Sequence, residues 1–238
     1  MHRLFISDLH LSDDSTAVEA ALYSLIERES SIDSLIILGD LFEAWVGDDD
    51  DAPLAIRIKA LLRSVAARGT ELFLATGNRD FMLGKAFADE VGANLLDDET
   101  VLDVCGESCL LMHGDSLCTD DTTYQQFREM VRAPSWQAEM MSRDLDARRE
   151  LARQLREMSI DAASNKAEDI MDVNPEAVIA AMQRSGVKRM IHGHTHRPAR
   201  HVSPSGEERI VLGDWTAQHG WLLREQGGSL SLEQFTIG

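Results

Sequence analysis

Five short apolar runs in this chain each stop at polar residues of metal-ligating type, and that pattern leaves few folds open. The runs are Arg3 to Ile6, Leu35 to Leu38, Glu71 to Ala75, Cys109 to Met112 and Lys188 to Ile191. They are followed by Asp8-Leu9-His10, Gly39-Asp40, Gly77-Asn78-Arg79-Asp80, His113-Gly114-Asp115 and Gly193-His194-Thr195-His196. Runs this short, bounded by turn residues, read as buried strands. Their alternation with amphipathic stretches is the signature of an α/β layer fold. Sites in such sheets form outside the carboxyl ends of the strands, so five strand ends can deliver all these groups to one rim. Taken singly, each has a local explanation. An Asp after a strand usually caps a turn, and Gly-Asp or Gly-Asn favours turns for backbone reasons alone. Five ends carrying complementary carboxylates, imidazoles and one amide, with a glycine beside most of them to admit close backbone approach, outweigh five local explanations. The densest is His192-Gly193-His194-Thr195-His196, three alternating imidazoles that fit a hydrophobic core badly and a metal well.

Between the first two runs, Thr16 to Glu29 has a helical apolar face opened by Ser15 as a candidate N-cap; between the second and third, Leu54 to Ala67 repeats Leu54, Ile58, Leu61, Leu62 and Val65 before stopping at Gly69. Val101 to Val104 reads as the hairpin partner of the fourth run. Arg209 to Leu212, Gly220 to Leu223 and Ser229 to Phe235 read as three further strands closing a second, more antiparallel layer. The stretch 122–172 lacks a strand-like run. Tyr124 to Val131, Trp136 to Met158 and Pro175 to Arg184 read as helices, the last begun by an Asn174 N-cap followed by proline. The acidic run Asp48 to Asp51 reads as a solvated loop or helix start.

A length of 238 residues allows a sizeable core and suits one domain with an insertion. With 41 acidic against 23 basic residues, the net charge of -18 argues against nucleic acid held along a basic face and against a polybasic membrane anchor. No stretch approaches the ~20 apolar residues of a membrane span, so the chain reads as cytoplasmic. Cys105, Cys109 and Cys118 are an odd set without a CxxC pair, which reads as reduced, packed thiols.

The order Asp-x-His, Gly-Asp, Gly-Asn, His, Gly-His-x-His, running from Asp8 to His196, resembles the calcineurin-like metallophosphoesterase superfamily. The resemblance implies an α/β fold, a two-sheet sandwich with flanking helices and two metals at the strand ends. It implies that Asp8, His10, Asp40 and His196 hold one ion, and that Asp40, Asn78, His113 and His194 hold the second with Asp40 bridging. His192 has no ligand role in that pattern and is expected beside the site. Imidazole, carboxylate and amide oxygen without thiolate suit Mn²⁺, Fe²⁺ or Zn²⁺, with two Mn²⁺ per chain the expectation. Two such ions clamp a phosphoryl group for in-line attack by hydroxide.

Many members of that superfamily carry a histidine where this chain has Arg79, a residue that binds phosphate oxygens bidentately but donates no proton near neutral pH. An alkoxide leaving group needs a proton, whereas a phosphate with a second pKa of about 6 leaves without one. Arg79 and Asp40 are therefore the expected catalytic residues of a pyrophosphate hydrolysis. Longer blocks, among them Ile37 to Asp49, Gly77 to Phe81, Leu117 to Asp121 and Ile170 to Asn174, resemble one branch of the superfamily, the pyrophosphohydrolases of lipid A synthesis. That branch implies a lipid-nucleotide substrate, a helical lid over 122–172 within a single domain spanning 1–238, and a monomer acting peripherally at the cytoplasmic face of the inner membrane. Its substrate contacts carry over to Asn78, Arg79, Asp121, Ser159, Lys166 and His194; one further asparagine of the branch falls on Ala163, with Asn165 nearby. The stripe Trp136, Met140, Met141, Leu145, Leu151, Leu155 and Met158 reads as core or as an adaptable lining for acyl chains. Arg128, Arg132, Arg143, Arg148, Arg149, Arg153 and Arg156 read as a solvated face or as contacts to anionic headgroups. The rival readings are a dinuclear phosphodiesterase or nucleotide pyrophosphatase of another substrate, a metal-free scaffold, and a membrane-associated binding protein without turnover.

Overall fold

The computed structural model describes residues 1–29, 31–157 and 172–238 in full and the helical backbone alone over 158–164. In chain order the elements are β1 (His2–Ile6), α1 (Thr16–Arg28), β2 (Ser34–Leu38), α2 (Pro53–Ala67), β3 (Glu71–Ala75), α3 (Lys85–Val91), β4 (Ala93–Leu95), β5 (Thr100–Val104) and β6 (Glu107–Leu111). Then come α4 (Thr122–Arg132), α5 (Pro134–Met141), α6 (Leu145–Ser164), α7 (Pro175–Ser185), β7 (Arg189–His192), β8 (Ala199–Val202), β9 (Glu208–Val211), β10 (His219–Gln226) and β11 (Ser229–Thr236).

The strands form two sheets, β11-β10-β1-β2-β3-β4 and β5-β6-β7-β9-β8. β1 to β4 run parallel, as do β6, β7 and β9. The period-2 alternation of each central strand then sorts its side chains into two cores. Phe5, Ile36, Leu38, Leu111, Ile191 and Ile210 pack between the sheets. Leu4, Ile6, Leu35, Ile37, Leu72 and Leu74 face the other way, against Leu22 and Leu25 of α1, Ile58 and Leu62 of α2 and Phe87 of α3. On the far side of the second sheet, Leu110, Met112 and Met190 meet Val178, Ala181 and Met182 of α7. Both faces of both sheets are covered, which is why the central strands read as continuous apolar runs.

Three expectations need correction. The last strands do not close one layer: β9 joins the second sheet, while β10 and β11 extend the first beside β1. The helix expected over Trp136 to Met158 is two helices. Arg143 N–H bonds back to Met140 O at 3.1 Å, and Asp144 Oδ1 accepts from Ala147 N at 2.8 Å, so Asp144 starts a new helix. The Asp48–Asp51 loop is not merely solvated. Asp48 accepts from the N–H groups of Gly84 and Phe87 at the start of α3, and Asp49, Asp50 and Asp51 receive Arg148 and Arg149 of α6. The short α3, β4 and β8 carry too few residues for periodicity to declare them. All three cysteines are free thiols.

Candidate metal centre and adjoining cavity

Left-handed backbone marks the site before any side chain is considered. Among the described residues six other than glycine have positive φ, and five of them are Asp8, His10, Asp40, His194 and His196, with φ between 49° and 66°. Such conformations are costly for L-residues and persist where the surrounding structure fixes them. Here backbone hydrogen bonds do so. Asp8 N donates to Gly39 O at 3.1 Å, Leu9 and His10 N both donate to Asp40 O, and Trp215 N donates to Asp8 O at 3.0 Å. Two glycines admit the crowding: a Cβ on Gly77 would run into Asp40 Oδ1, and one on Gly193 into Asp8 Oδ2.

All seven expected ligands converge at this rim. His10 Nε2 lies 3.3 Å from His196 Nε2 and 3.8 Å from Asp40 Oδ2, and His196 Nε2 lies 3.4 Å from Asp8 Oδ1. On the other side of Asp40, the same Oδ2 lies 3.6 Å from His113 Nε2. Asn78 Oδ1 sits 2.9 Å from that nitrogen and 2.8 Å from His194 Nδ1. The arrangement is two sets of nitrogen and oxygen donors sharing one carboxylate oxygen. Asp8, His10 and His196 form one group whose ligand atoms lie within 4.8 Å of one another, and Asp8, Asp40 and His113 form another.

The electrostatics suit cations. His113 Nδ1 faces the acceptor Leu38 O at 2.9 Å, a contact that favours a proton on Nδ1 and turns Nε2 toward Asp40. Burial opposes a charge on His10, yet Glu43, Asp40 and Asp8 together push its pKa up to about 9. His113 is raised in the same way, against its burial, by Asp40 and Asp8. Burial also opposes ionisation of Asp8, but the hydrogen bond to His196 and the charges of His113, His196 and His10 hold its pKa well below the carboxylate range. His194, buried beside His113, is pushed down to about 3. This donor set, rich in negative charge and free of thiolate, fits divalent ions of borderline hardness.

The rim opens into a cavity of about 590 Å³ walled by Trp45, Phe81, Met82, Phe127, Trp136, Met140 and Leu155, with Arg79 and Arg156 among its lining. Arg79 N–H donates to Asp40 Oδ1 at 2.7 Å; among the described residues its buried Nε has no hydrogen-bond partner, and Glu43 Oε1 lies 3.9 Å from its Nη1. Asp121 also lines the cavity and caps α4 by accepting from Tyr124 N at 3.0 Å. Ser159 and Lys166 lie outside the fully described residues, as do Met158, Ala163 and Asn165. Of the apolar stripe, Trp136, Met140 and Leu155 face the cavity and Met141 is largely exposed. The arginines are mostly committed to acids: Arg128 to Asp115 and Asp98, Arg132 to Asp98, Arg148 to Asp49, Arg149 to Asp50 and Asp51, and Arg156 to Glu43.

A family profile described as calcineurin-like phosphoesterase matches residues 1–198. The chain belongs to that family. Curated relatives are named UDP-2,3-diacylglucosamine hydrolase: that of Cellvibrio japonicus is 46% identical with 100% of each chain covered, and that of Marinobacter nauticus is 48% identical with 93% of each covered. A dimetal phosphatase from Danio rerio shares the fold at a TM-score of 0.50 and 14% identity, covering 100% of this chain and 98% of that one.

Several site residues of this calcineurin-like chain escaped the sequence reading. Asp80 is fully buried and accepts from Gly77 N at 2.7 Å, Leu41 N at 2.8 Å and Asp40 N at 3.2 Å, lacing the second and third strand ends together. Burial and the neighbouring Asp40 push its pKa up to about 6. Asp115, also buried, takes Tyr124 Oη at 2.6 Å and Arg128 Nε at 2.8 Å. Glu43 approaches His10 Nδ1 at 3.0 Å, an ion-pair approach rather than an aligned hydrogen bond, and Asp214 lies 3.7 Å from His196 Nδ1. His192, expected beside the site, is buried with Nδ1 against Gly193 O at 2.9 Å and Nε2 3.3 Å from Arg209. Asp80 and Asp115 stood inside the quoted motifs, and an acid two residues after a strand-end ligand, Asn78 or His113, was their available signal.

Proposed function

We propose that this chain hydrolyses the pyrophosphate bond of UDP-2,3-diacylglucosamine by water attack on the α-phosphorus, releasing UMP and 2,3-diacylglucosamine 1-phosphate in lipid A biosynthesis. One observation carries the reading: a rim of divalent-cation ligands opens directly into a large apolar cavity, with an under-partnered arginine at the junction. A phosphodiesterase for small polar substrates needs the rim but has no use for walls of Trp45, Phe127 and Trp136. The relatives' shared name supplies a substrate that needs both halves.

In this reading Asp8, His10, Asp40 and His196 hold one ion and Asp40, Asn78, His113 and His194 the other, preferably Mn²⁺. Bound there, the pair supplies Lewis acidity and a nucleophile at neutral pH. The chain's own groups do the rest. Arg79 turns its free guanidinium edge to the phosphate oxygens, where a bidentate contact neutralises charge that grows as the bond breaks. No general acid is required, because the departing sugar phosphate leaves as a stable anion. Asn78 and His194 flank the reacting phosphate, Asp121, Ser159 and Lys166 contact the remainder of the head, and the acyl chains displace water from the aromatic walls. Residues 122–172 act as the lid of a single domain. Because the proposed substrate is a lipid nucleotide, we place the enzyme as a monomer lying against the cytoplasmic face of the inner membrane; among the described residues no helix is long and apolar enough to cross a membrane.

Hydrolysis of the lipid nucleotide in ¹⁸O-water tests the reading. Label in UMP is the expected result; label on the sugar phosphate places attack at the β-phosphorus, and no Mn²⁺-dependent release of UMP overturns the assignment.

A further inference from the structure

Glu43, on the loop after β2, touches the rim and the α6 helix with opposite edges of one carboxylate. Its Oε2 lies 3.0 Å from His10 Nδ1, and its Oε1 lies 3.0 Å from Arg156 Nε. Glu43 is only 14% exposed and His10 19%, so their contact is shielded from bulk water, while Arg156, 46% exposed, meets Glu43 at the solvent edge. We propose that Glu43 is a positioning residue that ties the seating of α6 over the cavity to the orientation of His10 at the proposed metal centre. The inference rests on the reading that the rim holds metal, and it adds a link between that centre and the helices above it.

An imidazole that binds a metal through one nitrogen takes its ring orientation from whatever meets the other, and such partners are worth about 10- to 100-fold in metal affinity. For His10 the inward nitrogen is Nε2, facing His196 and Asp40, and the outward one is Nδ1, facing Glu43. A carboxylate whose two oxygens are drawn toward different elements cannot turn for one partner without changing what it offers the other. Withdrawal of Arg156 with α6 therefore frees Glu43 to rotate, and the ring of His10 loses its fixed neighbour. Arg79 stands differently. At 3.9 Å from Glu43 and with its Nε unpartnered, it is held loosely enough to move to a phosphate while Arg156 stays in place.

Asp214 provides an internal control. It approaches His196 Nδ1 at 3.7 Å as Glu43 approaches His10, but among the described residues it has no partner on α4, α5 or α6. It should tune its imidazole without sensing the helices.

The test uses the full chain and four variants, Glu43→Gln, Arg156→Met, the double variant and Asp214→Asn. Mn²⁺ affinity is read from the free-ion EPR signal, and the exposure of α6 from the rate of limited proteolysis within residues 145–157. Glu43→Gln should weaken Mn²⁺ binding about 10- to 100-fold and speed cleavage. Arg156→Met should speed cleavage equally, weaken Mn²⁺ a few-fold and raise KM more than it lowers kcat. The double variant should be no worse than Glu43→Gln, the mark of one coupled unit. Asp214→Asn should weaken Mn²⁺ without changing cleavage. Faster cleavage of Glu43→Gln with wild-type Mn²⁺ affinity makes Glu43 a plain anchor and overturns the link, as does additivity in the double variant. A wild-type chain that takes up no Mn²⁺, Fe²⁺ or Zn²⁺ sinks the metal reading itself, and that failure shows in the parent rather than in the variants.

Discussion

At the rim, side chains are aimed by the backbone; over the cavity, helices are held by guanidinium groups. Asp8, His10 and Asp40 sit in left-handed turns stitched to one another through main-chain hydrogen bonds, and the fully buried Asp80 accepts from four nearby N–H groups. By contrast α4 and α6 meet the rest of the molecule through arginines, some on largely buried acids (Arg128 on Asp115, Arg149 on Asp50) and the others on Asp98, Asp49 and Asp51, which are 50%, 54% and 76% exposed in their side chains. Exposed pairs are screened by salt and are individually weak. A buried backbone lattice is indifferent to salt. The contrast separates two jobs: chemistry that tolerates little displacement, and a cover that has to admit a bulky amphiphile and let it go.

The comparison can be broken at its strongest point first. Asp40→Ala removes the carboxylate shared by both ligand sets and should abolish Mn²⁺-dependent UMP release; turnover at the parental rate with metal bound would end the reading of the rim. Next, Arg79→Ala should lower turnover about 10²- to 10³-fold, as loss of a transition-state donor does, with metal content unchanged by elemental analysis. Asp80→Ala should act on the fold, leaving buried N–H groups of Gly77, Leu41 and Asp40 without their acceptor. A loss of about 3–5 kcal/mol, or roughly 10 °C in Tm by calorimetry, is expected.

The remaining predictions concern the cover. Raising NaCl from about 0.05 to 0.5 M shortens the Debye length severalfold and should speed proteolysis within α4 to α6 several-fold while leaving Tm nearly unchanged. The smallest effect is on pH. The hydrogen bond from Arg148, then its charge, hold the Asp49 pKa below the ordinary value against a little burial. A carboxylate lowered in the folded state lends stability above its unfolded pKa of about 3.8 and loses it as pH falls through the folded value. Pepsin cleavage of α6 should therefore rise only below about pH 4, and Arg148→Met should flatten that rise.

The rim was legible because each ligand follows an apolar run, and a strand end turns linear order into spatial proximity. Five of the seven ligands even share a backbone conformation, although no sequence pattern announced it. What stayed hidden depends on partners distant in the chain. Asp49, Asp50 and Asp51 read as solvated because their arginine partners stand 98 or 99 residues later in the chain, Arg148 and Arg149, which lie opposite them only once α6 folds over. Glu43 was hidden for the same reason. The break between α5 and α6 falls at Arg143-Asp144, where a charged face continues without glycine or proline, so only the Asp144 cap marks it. The assignment of β10 and β11 to the first sheet was equally invisible, since short amphipathic strands carry no record of which edge they join.

That last pairing has a consequence for how the molecule is made. β1, which presents Asp8 and His10, lies between β2 and β10, and Phe5 pairs with Leu223 while Trp215 N–H holds Asp8 O. The strand that presents Asp8 and His10 is thus completed by one made after every ligand-bearing segment. Until the closing hairpin is released from the exit tunnel, the first strand lacks one of its neighbours, and a nascent chain can carry every ligand yet remain inert.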